Sequence, residues 1–305
     1  MIVPNRETNL PTRTRLAFPS ARAAFASFLQ TVRGNGRETV LLPAYIGWSS
    51  REGSGVFDPV RASGRPYRFY PMTRALGIDV DAAMRALDAP DVGVLVLIHY
   101  FGWPDPATSV LAAEARRRGI YVLEDEAHAL LTDVTGGVAG RDGHAAIYSL
   151  HKMLPVLEGG MLVWNGDVLG DNSEAPQAAT SIDDRYDLGR MARRRIENAQ
   201  KLQELLAPLE GRVDPLWDTL PPGVVPQTYP VIIRTVDRSK LYHEMNAAGY
   251  GVVSLYHTMI TEIPATDFPD AHWLAARVMN LPVHPGVDEH GLRGLVAELG
   301  RLTDV

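Results

Sequence analysis

The chain of 305 residues contains no cysteine. Disulfides, thiolate nucleophiles and Cys-ligated zinc or iron–sulfur centres are thereby excluded. Lysine is scarce too: Lys152, Lys201 and Lys240 are the only three among 30 basic residues, and the rest are arginine. None of the three lies in a G-x-x-x-x-G-K-[ST] segment, the loop whose amides and lysine cradle the phosphates of a nucleotide motor. The letters D-E-A-H at 125–128, a helicase signature elsewhere, therefore need another explanation. Long apolar runs are also missing. "VGVLVLI" (92–98) is far too short to span a bilayer, and "MIVPNRETNLPTRTRL" at the start has no apolar signal core. A soluble cytoplasmic protein is expected. The net charge of −6 argues against a nucleic-acid or anionic-membrane partner. "HEMNA" (243–247) lacks the second histidine of a zinc-protease helix, and no metal is expected.

What is present is the composition of an ordinary globular protein, 46% hydrophobic and 22% charged. The first half alternates strands and helices. "PSARAAFASFLQTV" (19–32) begins with a serine suited to N-capping. "ETVLLPAY" (38–45) reads as a buried strand, "DVDAAMRAL" (79–87) as a helix, and "VGVLVLIHYFG" (92–102) as a central strand apolar on both faces. Helix 107–119 and strands 120–125, 145–150 and 159–165 follow. The pattern predicts an α/β fold with a mostly parallel, helix-flanked sheet. A polar stretch at 166–184 reads as a connection or lid. It is followed by a helix over 186–207, a strand over 228–235, a helix over 238–249, a strand over 251–256 and a helix over 289–302. The expected division is a large domain, 1–180, and a smaller α+β domain, 181–305.

Two residues carry chemistry. Asp125 ends the strand "IYVLED", and Lys152 follows the strand "AAIYSL" by two positions. In open α/β sheets both would project into the crevice beyond the strand ends. A carboxylate and a lysine placed there suit pyridoxal 5'-phosphate (PLP), whose aldehyde forms a Schiff base with lysine and whose pyridine nitrogen is held protonated by an acid. Each pKa unit by which the acid favours the pyridinium corresponds to about 1.4 kcal/mol. Burial can lower a lysine pKa by roughly 3–5 units, freeing the amine to react. Arginine could not take this role. Taken singly, Asp125 could instead cap a helix and Lys152 could be a surface charge.

The wider chain resembles the DegT/StrS-type sugar aminotransferases of the fold-type-I PLP superfamily. The resemblance is carried by "LPAY" (42–45), "IHYFGWP" (98–104), "EDEAHA" (124–129), "SLHKMLPVLEGGMLV" (149–163), "ARRRIENAQKLQELL" (192–206) and "MNLPVHPGVDE" (279–289). It implies a homodimer that moves an amino group from an amino-acid donor such as glutamate to a keto group of a nucleotide-linked sugar. It also implies roles for residues. Lys152 would form the Schiff base and shuttle a proton, and Asp125 would pair with the pyridine nitrogen. His128 would contact the ring or its phenolic oxygen. Ser149 would hold the phosphate together with Ser20, Ala21 and Arg22 at a helix N-terminus. Trp48, or alternatively Tyr45, would stack on the ring. Ser20-Ala21-Arg22 stands where the family usually has Ser-Gly-Thr, and the chain is shorter than typical members. Two alternatives stay open: a PLP-dependent dehydratase or lyase, since family dehydratases carry histidine in place of the lysine and His151 adjoins Lys152, and a non-catalytic member of the fold.

His99 and Tyr100 end the central strand and are candidate substrate contacts, with a structural histidine the alternative. Tyr256 and His257 are candidates for the same role. Glu158-Gly159-Gly160 is expected to form a tight turn, and "RMARRR" (190–195) a solvated helix face.

Overall fold

The computed structural model describes residues 13–33, 36–166 and 185–304. The proposed boundary at 180 and nearly all of the 166–184 connection lie outside the described residues. A seven-stranded sheet and a three-stranded sheet organise the chain. The large sheet is built from β1 (Arg13–Phe18), β2 (Thr39–Pro43), β3 (Tyr67–Tyr70), β4 (Val92–Ile98), β5 (Tyr121–Asp125), β6 (Ala145–Ser149) and β7 (Gly160–Asn165). Its order is β1-β7-β6-β5-β4-β2-β3. The five strands from β3 to β6 pair in parallel, whereas β7 runs antiparallel to both β6 and β1. Every residue of β2, β4 and β6 is buried. Continuous apolar runs without alternation are what a strand covered on both faces requires.

Helices α1 (Ala21–Thr31), α2 (Phe57–Ser63), α3 (Val80–Leu87) and α4 (Thr108–Arg117) serve this sheet. In α1, Ala24, Phe25, Phe28 and Leu29 form the buried stripe, and the helix packs on β6 and β7. Each phenylalanine hidden this way contributes roughly 1.5–3 kcal/mol. The expected serine cap is present: Ser20 Oγ accepts the N–H of Ala23 at 3.2 Å. Asp79 caps α3 in the same way, at 3.0 Å from Ala82 N. Gly160, the first residue of β7, lets α1 come close. A Cβ there would lie 2.1 Å from the carbonyl carbon of Ser20 and 2.3 Å from Ala21 N.

The later half holds α5 (Leu188–Leu206), β8 (Val213–Pro215), β9 (Thr228–Ile233), α6 (Arg238–Ala247), α7 (Pro269–Ala275), β10 (Val278–Pro282) and α8 (Glu289–Thr303). β10, β9 and β8 form the antiparallel second sheet. Two expectations change here. The segment 251–256 is a turn with one isolated bridge, Val253 to Asn280, because Gly251 (φ 62) and Tyr256 (φ 61) leave the extended region at both ends. The arginine-rich face of α5 is exposed at Arg190 and Arg193, yet Arg195 is buried and donates to the carbonyl of Gln227 at 2.7 Å. Among the described residues, no helix is long and apolar enough to cross a membrane.

Candidate active site

The parallel register aligns the carboxyl ends of β4, β5 and β6: Ile98 lies opposite Asp125, and Asp125 opposite Ile147. His99, Asp125 and Ser149 therefore reach the same edge of the sheet, the position where open α/β folds place ligands. Lys152 follows β6 in a single 3-10 turn, Leu150–Lys152.

Asp125 is buried and accepts the N–H of Ala127 at 2.9 Å. Burial pushes its carboxyl above the ordinary range, although Lys152 and the Ala127 N–H act in the opposite direction. Its negative charge is only partly compensated. Lys152 as a residue is exposed to the crevice, but its amine is crowded by protein and sits 3.1 Å from His128 Nε2. That crowding lowers its pKa against the pull of Asp125 and Glu52, with Arg22 adding to the lowering.

His128 fixes the polarity of this contact. Its Nδ1 accepts the N–H of Phe101 at 3.2 Å. Burial, with Lys152 beside it, holds the imidazole well below its usual pKa, so it is neutral. A neutral ring whose Nδ1 is an acceptor carries its proton on Nε2. Nε2–H then donates toward Lys152 Nζ, which accepts only as the free amine. Hydrogen bonding and desolvation thus favour the same nucleophilic state of the lysine. Phe101 stacks along His128 with the rings 5.9 Å apart and 12° from parallel, and so holds its orientation.

His99 is only 1% exposed, and its Nε2 lies 2.8 Å from Glu124 Oε2 and 3.1 Å from Glu126 Oε1. This placement corrects the substrate-contact reading: the ring is enclosed by carboxylates, where a substrate has no access. Burial opposes its charge, but Glu126 and Glu124 outweigh that and raise its pKa to about 9. Glu124 is also held by the N–H groups of Gly143 at 2.6 Å and Gly140 at 3.0 Å. Burial raises the Glu124 carboxyl, yet the His99 bond outweighs it and the net shift is downward. Glu126 is different. Neither of its oxygens has a hydrogen-bond partner, and burial pushes its pKa well above the ordinary range. The three side chains place ligand-type atoms within 4.8 Å of one another. Sequence reading missed this cluster; the one signal available was the alternation of Glu124, Asp125 and Glu126 at a strand end.

The remaining candidates divide into an interior set and a rim. Tyr45 and Tyr100 are buried, and the Tyr100 hydroxyl donates to the carbonyl of Tyr45 at 2.6 Å. Tyr256 enters the same cluster from the C-terminal half, with its ring 5.1 Å from Tyr45, 5.3 Å from Tyr100 and 6.0 Å from His128. Trp48 is 44% exposed. His257 is exposed too, with Nδ1 against the carbonyl of Ser254. Ser149 is buried, with its hydroxyl 3.4 Å from His151 Nδ1. Ser20 and Ala21 are half-buried at the start of α1, and exposed Arg22 donates to the carbonyl of Glu52. The tight turn expected at Glu158-Gly159-Gly160 is absent: Glu158 lies in a bend, Gly159 takes φ 133, and Gly160 already begins β7.

A mostly parallel sheet with a lysine and an aspartate at adjoining strand ends, followed by a smaller antiparallel sheet, is the fold of the type-I aminotransferases. An aminotransferase from Psychrobacter cryohalolentis superposes with a TM-score of 0.74 at 18% identity, over 94% of this chain and 86% of that one. PseC of Helicobacter pylori, an aminotransferase of pseudoaminic acid biosynthesis, gives 0.77 at 15% identity, over 95% and 86%. The PLP form of Spr1654 from Streptococcus pneumoniae, described as a sugar aminotransferase, gives 0.76 at 15%, over 95% and 87%. At these identities the likeness establishes the fold. The family model of the DegT/DnrJ/EryC1/StrS aminotransferases matches residues 72–175 and 173–299. The chain belongs to that family, and it is an aminotransferase.

Proposed function

We propose that the chain uses pyridoxal 5'-phosphate to move an amino group from an amino-acid donor, glutamate being the expected one, to a keto group of a nucleotide-linked sugar or a related small metabolite. The observation that carries this reading is the Lys152 amine, held 3.1 Å from a neutral His128 at the end of the strand next to Asp125. The donor set suits the cofactor. Asp125 is a buried carboxyl short of positive charge, which a pyridinium would provide. Gly160, where a Cβ would strike the Ser20–Ala21 backbone, keeps the N-terminus of α1 close to the site.

When bound, the cofactor supplies the electron sink for amino-group transfer. The protein supplies the rest. Asp125 would hold the ring nitrogen protonated. Lys152 Nζ would attach the cofactor and afterwards carry a proton. His128 meets the ring or its phenolic oxygen. Ser149, Ser20, Ala21 and Arg22 receive the phosphate, helped by the partial positive charge at the start of α1. Lys152 takes the nucleophile's role over His151 because its amine reaches His128, whereas His151 is exposed beside Ser149. That arrangement favours transamination over the dehydratase reading. The working assembly is a cytoplasmic homodimer, with residues 1–180 binding the cofactor and 181–305 forming the smaller domain.

Glutamate added to the cofactor-loaded protein should bleach the visible band and release 2-oxoglutarate stoichiometrically. A nucleotide-linked keto sugar should then restore the band. Ammonia in place of 2-oxoglutarate would turn the assignment toward a lyase.

A further inference from the structure

We propose that Tyr256 supplies the aromatic face against which the cofactor's pyridine ring stacks. The inference rests on the cofactor reading above and replaces Trp48 and Tyr45 in that role. Tyr45 is fully buried, so no ligand ring can lie on it, and Trp48 points outward with 44% of its surface exposed. Tyr256 is half-buried, and its ring stands in front of Tyr45 at 5.1 Å and 33°. Tyr100, Phe101 and His128 meet it at steep angles of 77°, 64° and 66°. One face is backed and the edges are braced. Among the described residues, Tyr256 has ring contacts with these four rings alone. Offset stacking of a planar heteroaromatic ring on such a face is favourable.

The backbone is arranged for this insertion. Tyr256 sits at φ 61, a left-handed conformation that a bulky residue adopts only when its surroundings enforce it. The turn is tied to the chain after β2: Trp48 N–H donates to Thr258 O at 2.9 Å, and Ile260 N–H to Ile46 O at 3.1 Å. Gly47 makes the space. A Cβ on it would lie 2.9 Å from Tyr256 Cδ1 and 3.3 Å from Tyr256 Cα. An aromatic from the C-terminal half thus fills a gap that a glycine opens at the sheet edge.

The test is the dissociation constant of pyridoxal 5'-phosphate, read from absorbance and from quenching of intrinsic fluorescence. Tyr256→Leu keeps the cage filled and should raise Kd on the order of tenfold, the scale of one aromatic stack. Tyr256→Phe should stay within about twofold, because the ring and not the hydroxyl is required. Gly47→Ala should weaken binding with Tyr256 unchanged, by displacing its ring. An unaltered Kd in Tyr256→Leu would overturn the proposal, as would tighter binding, which would mean that the ring obstructs the site. Failure of the wild-type protein to bind the cofactor at all would instead overturn the reading on which this rests.

Discussion

Glu124, Asp125 and Glu126 are consecutive carboxylic acids at the end of β5, and they meet two different environments. Glu124 and Glu126 enclose His99 in the interior, where one carboxylate is satisfied by an imidazolium and two glycine N–H groups. Asp125 lies between them in sequence and projects toward Lys152, with burial dominating its titration. Alternation along a strand sends neighbours to opposite sides. In the interior cluster the carboxylates raise the pKa of His99 and the pairing lowers that of Glu124, while burial raises that of Glu126. Asp125 keeps a charge deficit that a cofactor can fill. On the proposed function, stability governs one side of the strand end and the cofactor the other.

Replacing Asp125 should separate these roles most sharply. In Asp125→Asn the transamination rate should fall on the order of a hundredfold to a thousandfold, while the melting temperature of the cofactor-free protein stays level or rises. A large loss of apo stability would show that Asp125 is a structural carboxylate after all. The converse holds inside. His99→Ala leaves Glu124 without its cation and should cost about 3–5 kcal/mol in denaturant unfolding. A variant as stable as wild type would break the comparison.

The pH profile sharpens it further. His99 binds its proton more tightly in the folded state, near pKa 9, than in the unfolded chain near 6.5. Its contribution is therefore complete below about pH 6.5 and is lost as pH rises through 9. Unfolding free energy should fall by on the order of 3 kcal/mol over that window, and His99→Gln should flatten the slope. The smallest effect belongs to Glu126. If its carboxyl is already protonated, Glu126→Gln should shift stability by less than about 1 kcal/mol at pH 7. A cost comparable to that of His99→Ala would mean that Glu126 is ionised.

Much of this was readable in the sequence because it is local. The run 92–98 could only be a strand covered on both faces, and Ser20 announced its helix by capping chemistry. Asp125 and Lys152 stood out as candidates because strand ends mark the crevice. The features that escaped depend on partners far along the chain. "RTRLAF" (13–18) becomes a strand because β7 offers it an antiparallel edge. Helical periodicity cannot say that Arg195, and not Arg193, finds a buried carbonyl. His99 meets carboxylates 25 and 27 positions away across a strand pairing. Tyr256 was placed near the site, but its left-handed turn into the gap at Gly47 depends on the fold being assembled.

The most direct measurement is to load the purified protein with pyridoxal 5'-phosphate, reduce it with borohydride and map the labelled peptide, with Lys152→Ala in parallel. Label confined to the peptide carrying Lys152, and absent from the variant, is the predicted result. Label on Lys201 or Lys240, or none at saturating cofactor, would contradict the assignment of Lys152 as the residue at the centre of the site.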